Sequence, residues 1–236
     1  MENRELVVLE GFHVCKHAVR FGADIVELVT TDLGELTDML EQYAPDIVQI
    51  VLDRVVEIST EDFANYSDVH IRTPLAGKAI KASIKELNIQ TNGLVVLLDN
   101  PRDLENIGAV VRLSAGMDVG AVVTTGDVDP WHKNCLRGSQ GLHFALPVLH
   151  MDHLETGFLS DRPMYVFDES GEDLGGVEIP FDAVLVFGSE RQGVSDYWLK
   201  QATRVVKIPQ QEGVSSYNLA TSVAMGVYHA HMNAKT

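Results

Sequence analysis

The chain has 236 residues, 45% hydrophobic and 22% charged. That composition fits one large or two small globular domains and excludes disordered, collagenous, coiled-coil and disulfide-scaffold architectures. With 18 basic residues against 34 acidic ones the net charge is −16, which argues against a non-specific nucleic-acid coat and leaves room only for a local basic site.

Apolar runs such as Leu94–Leu98 are too short to span a bilayer, and the opening MENRELVVLEGF has no basic segment followed by a long apolar one. No membrane partner and a cytoplasmic location are expected. Cys15 and Cys135 form neither a disulfide framework nor a zinc motif and are expected to be buried, inert thiols.

In chain order, Val7–Leu9 is a short apolar run and a helical pattern follows Gly11 through Val19. Ile25–Val29 reads as a strand, Leu33–Tyr43 as an amphipathic helix and Ile47–Leu52 as a second strand. Thr60–Phe63 starts a short helix, and Val69–Ile71 reads as a third strand. The segment from Thr73 to Lys85 is polar and rich in small residues, which places a domain junction between about residues 75 and 92. The expected division is 1–84 and 85–236.

The second part opens on Gly93-LVVLLD, a continuous apolar run ending in an acid, as fully buried parallel strands read. Asn106 is expected to cap a helix running to about Met117. Apolar runs recur at Ala121–Val123, Met164–Phe167, Ala183–Phe187 and Val205–Ile208, and Tyr217–Met232 reads as a closing helix. Alternation of this kind predicts an α/β fold with a parallel sheet, whose ligands sit beyond the carboxyl ends of the strands. The loops after Leu98, Phe187 and Ile208 are therefore the candidate site.

Those loops are DNPRDLENIGAVVR (99–112), GSERQGVS (188–195) and PQQEGVSSYN (209–218), each polar and each directly after a buried strand. No GxGxxG is present. Gly188 and Gly193 have phosphate-loop spacing, but Val194 stands where the phosphate-binding Lys belongs. Neither a standard dinucleotide fold nor a P-loop NTPase is indicated.

Together the three segments resemble the three motifs of the SpoU (TrmH) family of RNA ribose 2'-O-methyltransferases, within the SPOUT class. Asn106-Ile-Gly108 with Arg112 resembles the first motif. Gly188-Ser189-Glu190 resembles the second, and Ile208-Pro209, Gly213 and Ser216-Tyr217-Asn218 the third. Ser139, Gly141 and the Ala145–Val148 stretch fit a weaker pattern between them. The likeness covers about residues 93–232, and Leu9–His13 resembles the start of a ribosomal-protein-like α/β substrate-binding domain. Departures are Ala220 for a common Ser, Tyr217 for Leu, and Arg191-Gln192 where small or acidic residues are common.

The resemblance implies a SPOUT-type parallel sheet with a C-terminal trefoil knot, preceded by a small N-terminal α/β domain that grips RNA. It implies S-adenosylmethionine as cofactor, ribosomal or transfer RNA as partner, a homodimer with RNA bound across both subunits, and no metal. Catalytic residues would be Asn106, Arg112, Glu190, Ser216 and Asn218. Cofactor-binding residues would be Phe187, Gly188, Ile208, Pro209, Ser216 and Leu219. Arg112 stays protonated, so its implied task is to bind a phosphate and stabilise the developing alkoxide rather than to act as a base.

Each residue also has a plainer reading. Asn106 alone is a helix cap and Arg112 a snorkelling surface residue. Glu190 suits an N-terminal helix acid, and Ser216 and Asn218 suit caps of the last helix. The nine histidines read as structural or surface; His13 and His17 are four apart but lack a third metal ligand. Two rival functions remain: a non-catalytic RNA-binding or regulatory homologue, against which Asn106 and Arg112 together argue, and a methyltransferase for a non-RNA substrate, which the acidity suits. If RNA binds through a local patch, Arg102, Arg112, Arg137 and Arg191 should face one cleft.

Overall fold

A computed structural model of the chain describes residues 5–68, 70–81, 93–151, 159 and 161–233. The fold divides into two compact units. One comprises Met1–Leu87 with Trp131–Ala145, the other Asn88–Pro130 with Leu146–Thr236.

The N-terminal unit begins with β1 (Leu6–Glu10), α1 (Phe12–Arg20), β2 (Ile25–Thr30) and α2 (Leu33–Tyr43). Asp32 caps α2 by accepting the Glu35 N–H at 2.8 Å. The strand expected at Ile47–Leu52 is helical instead: a 3-10 turn over Pro45–Ile47 leads into α3 (Val48–Leu52). Pro45 starts the turn, and Ile47 and Val51, four residues apart, are buried while Ile50 is exposed. The apolar run has the period of a helix face, which a short run does not reveal by itself.

The chain continues through β3 (Val55–Glu57), α4 (Thr60–Phe63) and β4 (Ala76–Ile80). The strand expected at Val69–Ile71 falls partly on Val69, outside the described residues. Ile71 lies in no strand and packs against the cluster of Val29, Phe63 and Ala76. The segment read as a polar junction carries β4, an interior strand of a mixed sheet ordered β1-β4-β2-β3. Its small residues are a packing requirement: a Cβ on Gly77 would lie 2.5 Å from the Glu27 carbonyl oxygen. The rest of the expected junction, residues 82–92, lies outside the described residues.

The second unit opens with β5 (Val95–Asp99), α5 (Leu104–Gly116) and β6 (Ala121–Thr124). Asn106 does not cap α5. Asp103 does, accepting the N–H groups of Glu105 at 2.8 Å and Asn106 at 3.0 Å. The chain then enters Trp131–Ala145, with α6 (Lys133–Gly138), which packs into the N-terminal unit although the sequence reading assigns it to the second part.

Back in the second unit come β7 (Val148–His150), β8 (Met164–Asp173), β9 (Val184–Gly188), α7 (Asp196–Leu199), β10 (Arg204–Lys207) and α8 (Leu219–Asn233). Six parallel strands form one sheet in the order β10-β8-β9-β5-β6-β7. Every residue of β5 and β6 is buried. This is the expected α/β parallel sheet, with the carboxyl ends of its middle strands as the natural place for a ligand.

Two departures from regularity shape that end. The register between β10 and β8 jumps between Val205 and Val206, from Val166 to Glu172, leaving Phe167–Gly171 unpaired with β10. Helix α8 packs on α5 and β9. It approaches closely at Gly226, where a Cβ would lie 2.7 Å from Phe167 and 3.0 Å from Phe187. Those two rings are stacked at 4.3 Å. No described helix is long and apolar enough to cross a membrane.

Candidate active site

The site is built on a closed turn after β9. Ser189 and Gly193 exchange backbone hydrogen bonds of 3.1 and 3.0 Å, and the Gln192 N–H donates to the Ser189 hydroxyl at 3.3 Å. Gly193 has φ +68°, a left-handed conformation that suits glycine. Gly188 lies under the turn, where a Cβ would come within 1.9 Å of the Gly193 carbonyl carbon. Glu190 and Arg191 are thereby presented at the tip, and Glu190 belongs to no helix.

Three motif residues meet in a continuous hydrogen-bonded chain. The Asn218 amide donates from Nδ2 to Asn106 Oδ1 at 2.8 Å. Asn106 in turn donates from its own Nδ2 to Glu190 Oε1, also at 2.8 Å. Glu190 Oε2 accepts the Arg102 N–H at 3.4 Å. Because Asp103 caps α5, the Asn106 side chain is free for this link. Asn218 does two jobs, since its Oδ1 also accepts the N–H groups of Ala220 at 2.9 Å and Thr221 at 3.3 Å and so caps α8. The helix expected from Tyr217 accordingly starts two residues later.

Beside this chain opens a cleft of about 870 Å³. Its walls are the end of β8, the Gly188–Gly193 turn, Lys207–Gln210 after β10, and Ser216, Tyr217, Leu219 and Ser222. All six expected cofactor residues, Phe187, Gly188, Ile208, Pro209, Ser216 and Leu219, line it. The Tyr217 hydroxyl donates to the Pro209 carbonyl at 3.1 Å and holds the two ends of the third loop together.

The SpoU rRNA Methylase family model matches residues 93–228. The chain belongs to that family. An Archaeoglobus fulgidus protein named an uncharacterized tRNA/rRNA methyltransferase is 32% identical over 139 residues, covering 57% of this chain and 61% of the relative. A 23S rRNA (adenosine(1067)-2'-O)-methyltransferase of Streptomyces laurentii is 32% identical over 147 residues, covering 58% and 53%. The match thus spans less than two thirds of either relative. Among solved structures, the AdoMet-bound rRNA methyltransferase of Sinorhizobium meliloti superposes with TM-score 0.79 at 19% identity, covering 96% of this chain and 87% of the other. The SpoU methyltransferase AviRb of Streptomyces viridochromogenes gives TM-score 0.79 at 18% identity, covering 98% and 90%. At these identities the likeness is one of fold.

Of the residues that carry the SpoU resemblance, Arg112 stands apart. It is exposed, makes no hydrogen bond or ion pair among the described residues, and lines neither of the clefts around the turn. Six residues along a helix is a rotation of roughly 240°, so Arg112 and Asn106 occupy different faces of α5. The four arginines expected in one cleft are divided. Arg102 and Arg191 line a smaller cleft on the turn. Arg137 belongs to the N-terminal unit, where it pairs with Glu10 at 2.9 Å.

Sequence reading missed Asp99. This buried acid ends β5, opposite Gly188 in register. It accepts the Thr125 hydroxyl at 3.1 Å and the Ser195 N–H at 2.8 Å, so one carboxylate ties the end of β6 and the start of α7 to the end of β5. An acid closing a wholly apolar run was the available signal. The contribution of Asp168, Glu169 and Ser170 to the cleft had no such signal, because it arises from the register jump in β8.

Proposed function

We propose that this SpoU family member transfers a methyl group from S-adenosylmethionine to a ribose 2'-hydroxyl of ribosomal or transfer RNA. The observation that carries the reading is the Asn218–Asn106–Glu190 chain at the rim of the 870 Å³ cleft. It brings together one residue each from the first turn of α5, the turn after β9 and the loop before α8.

The cleft suits the cofactor. Its volume lies within the roughly 300–1,000 Å³ of small-molecule sites. Ile208, Pro209 and Leu219 offer apolar surface for a heterocycle, and Ser216 offers a hydroxyl. Asp168, Glu169 and Asp173 put carboxylates where a ligand carrying a sulfonium and an ammonium is favoured. When bound, S-adenosylmethionine supplies an electrophilic methyl on a sulfonium. The protein's own part is alignment, which can lower a barrier by several kcal/mol. Glu190 fixes the Asn106 amide and Asn218 locks it from the other side, so the rim is rigid before substrate arrives. Arg112, exposed, unpaired among the described residues and permanently charged, is assigned an RNA phosphate outside the two clefts.

The finer architecture follows from the same reading. After the edge strand β10 the chain returns to line the cleft of β9, bonds to Asn106 and packs α8 on α5 and β9. That path supports a trefoil knot. Tyr228 and Met232, exposed and four residues apart on α8, support a homodimer. Exposed Arg54 and Arg72 support RNA binding by the N-terminal unit.

The test is transfer of tritium from labelled S-adenosylmethionine into total RNA and into protein. Label in RNA ribose is expected; label in protein only would overturn the RNA assignment. Arg112→Ala should lower turnover on the order of a hundredfold, Arg112→Lys should restore little, and cofactor affinity by calorimetry should barely change. Normal turnover in Arg112→Ala would make the residue structural.

A further inference from the structure

The smaller cleft sets two cations beside two acids on a molecule whose net charge is −16. Its volume is about 590 Å³ and its lining is Arg102, Asp103, Ser189, Glu190, Arg191 and Gln192. Both acids in it are already engaged by N–H donors. Asp103 takes those of Glu105 and Asn106, and Glu190 takes the Asn106 amide and the Arg102 N–H. The two guanidiniums are not so committed. Arg191 has no hydrogen bond or ion pair among the described residues. Arg102 pairs with Asp127 at 3.0 Å, but the two side chains are 51% and 81% exposed. A pair that exposed is weakly held, so Arg102 can exchange Asp127 for another anion.

We infer that this cleft takes a phosphodiester of the RNA, held by the Arg102 and Arg191 guanidiniums. Guanidinium forks match phosphate oxygens in geometry as well as charge. Position gives the phosphate its meaning. Ser189, Glu190, Arg191 and Gln192 line both clefts, so a single turn separates this cleft from the larger one. A phosphodiester seated here fixes the chain next to the reacting ribose, and phosphate contacts position a nucleic acid without reading its sequence. The inference rests on the RNA methyltransferase reading. On a body of charge −16, such a local pair of cations is a means of binding RNA without a basic surface.

The experiment uses the full chain and a fluorescent single-stranded oligoribonucleotide of mixed sequence, with affinity followed by anisotropy across a salt series. Each phosphate contact to a single strand adds about −0.7 to the slope of log K against log salt. Arg191→Gln and Arg102→Gln should each make the slope shallower by about that amount, and the double variant by about twice it. Arg191→Lys should keep the slope, and so should Lys200→Gln, an exposed cation that lines neither cleft. Inorganic phosphate at matched ionic strength should compete with the oligonucleotide for wild type and not for the double variant.

Cofactor calorimetry and thermal melts report on folding. Wild-type slopes in both arginine variants would overturn the inference, as would loss of cofactor binding in Arg102→Gln, whose side chain lines the smaller cleft and not the larger. If inorganic phosphate binds while the slopes stay unchanged, the cleft holds free anions only and the inference fails. Tritium transfer separates this failure from that of the broader reading. If wild type labels RNA and the slopes are unchanged, the phosphodiester site alone is wrong; if it labels no RNA, both fall.

Discussion

Each unit of the molecule buries a carboxylate at the end of a strand, and the two are satisfied in different ways. Asp99 ends β5 and accepts two neutral donors, the Thr125 hydroxyl and the Ser195 N–H. Glu10 ends β1, its side chain 4% exposed, and is met by the Arg137 guanidinium at 2.9 Å, while its Oε1 has no hydrogen-bond partner among the described residues. In the parallel sheet the donors come from the end of the neighbouring β6 and from the start of α7. The acid therefore organises the loops around it, and those loops are the candidate site. In the mixed sheet the donor comes from α6, far along the chain, and the acid fastens a segment instead. Where a buried carboxylate finds its partners decides whether it shapes a site or a packing contact.

The sharpest way to break this contrast is to fill the space between Gly188, the register partner of Asp99, and the turn above it. In Gly188→Ala the new Cβ meets backbone atoms of Gly193 and Val194 at 1.9 to 2.2 Å, with no flexible side chain to give way. The turn cannot stay closed. Cofactor binding should disappear, and stability should fall by about 3 kcal/mol, the top of the usual overpacking range. Calorimetry of unfolding and of cofactor binding checks both. A variant with wild-type melting and affinity would show that the closed turn is dispensable.

Replacing the acids themselves should separate the two roles. Asp99→Ala strands the Ser195 N–H and the Thr125 hydroxyl; losing two bonds to a charged acceptor should cost about 3 kcal/mol. It should also weaken cofactor affinity, because the turn loses its anchor. Arg137→Ala leaves Glu10 buried and unpaired, which should cost about 2 kcal/mol, below the 3–5 of fully buried pairs because Arg137 is 43% exposed. Cofactor affinity should not move. Equal loss of affinity in both variants would erase the distinction drawn between them.

How far all this was legible in the sequence follows the same divide. The buried strands β5, β6 and β9 read directly as apolar runs, and the loops after β5, β9 and β10 declared the site because strand ends are where parallel sheets place ligands. The mixed sheet was harder. Its β3 is three residues with mixed exposure, and β4 is made of small residues whose purpose, close approach to Glu27, is tertiary. Ile47–Leu52 kept its helical period hidden in a short run. Asn106 was identified as important but given the cap role that Asp103 fills, since a cap three residues upstream leaves the same local signature. Arg102 and Arg191 share a cleft only because a turn after β9 meets a loop after β5.

A third carboxylate extends the comparison to the surface, where the effect should be smallest. Glu27 on β2 is half-buried, and its pKa is held below the ordinary 4.5 first by the Tyr66 hydroxyl and then by Lys78, whose ammonium lies 3.0 Å away. A depressed carboxylate contributes stability above its unfolded pKa and loses it as the pH falls through its folded pKa. Tyr66→Phe removes the leading cause. At neutral pH it should therefore cost only about 0.5 kcal/mol, as for other solvent-screened pairs. The difference from wild type should then shrink as the pH drops below about 4.5 and Glu27 becomes neutral in both proteins. Above about pH 10 it should shrink again. Burial and Glu27 together push the Tyr66 hydroxyl above its ordinary 10.0, so its stabilisation is lost from that pH upward. Urea midpoints of wild type and variant at acid, neutral and alkaline pH test the sign at each end. A difference that stays constant across the range would mean that Tyr66 contributes by packing and that Glu27 is no more than a solvated surface charge.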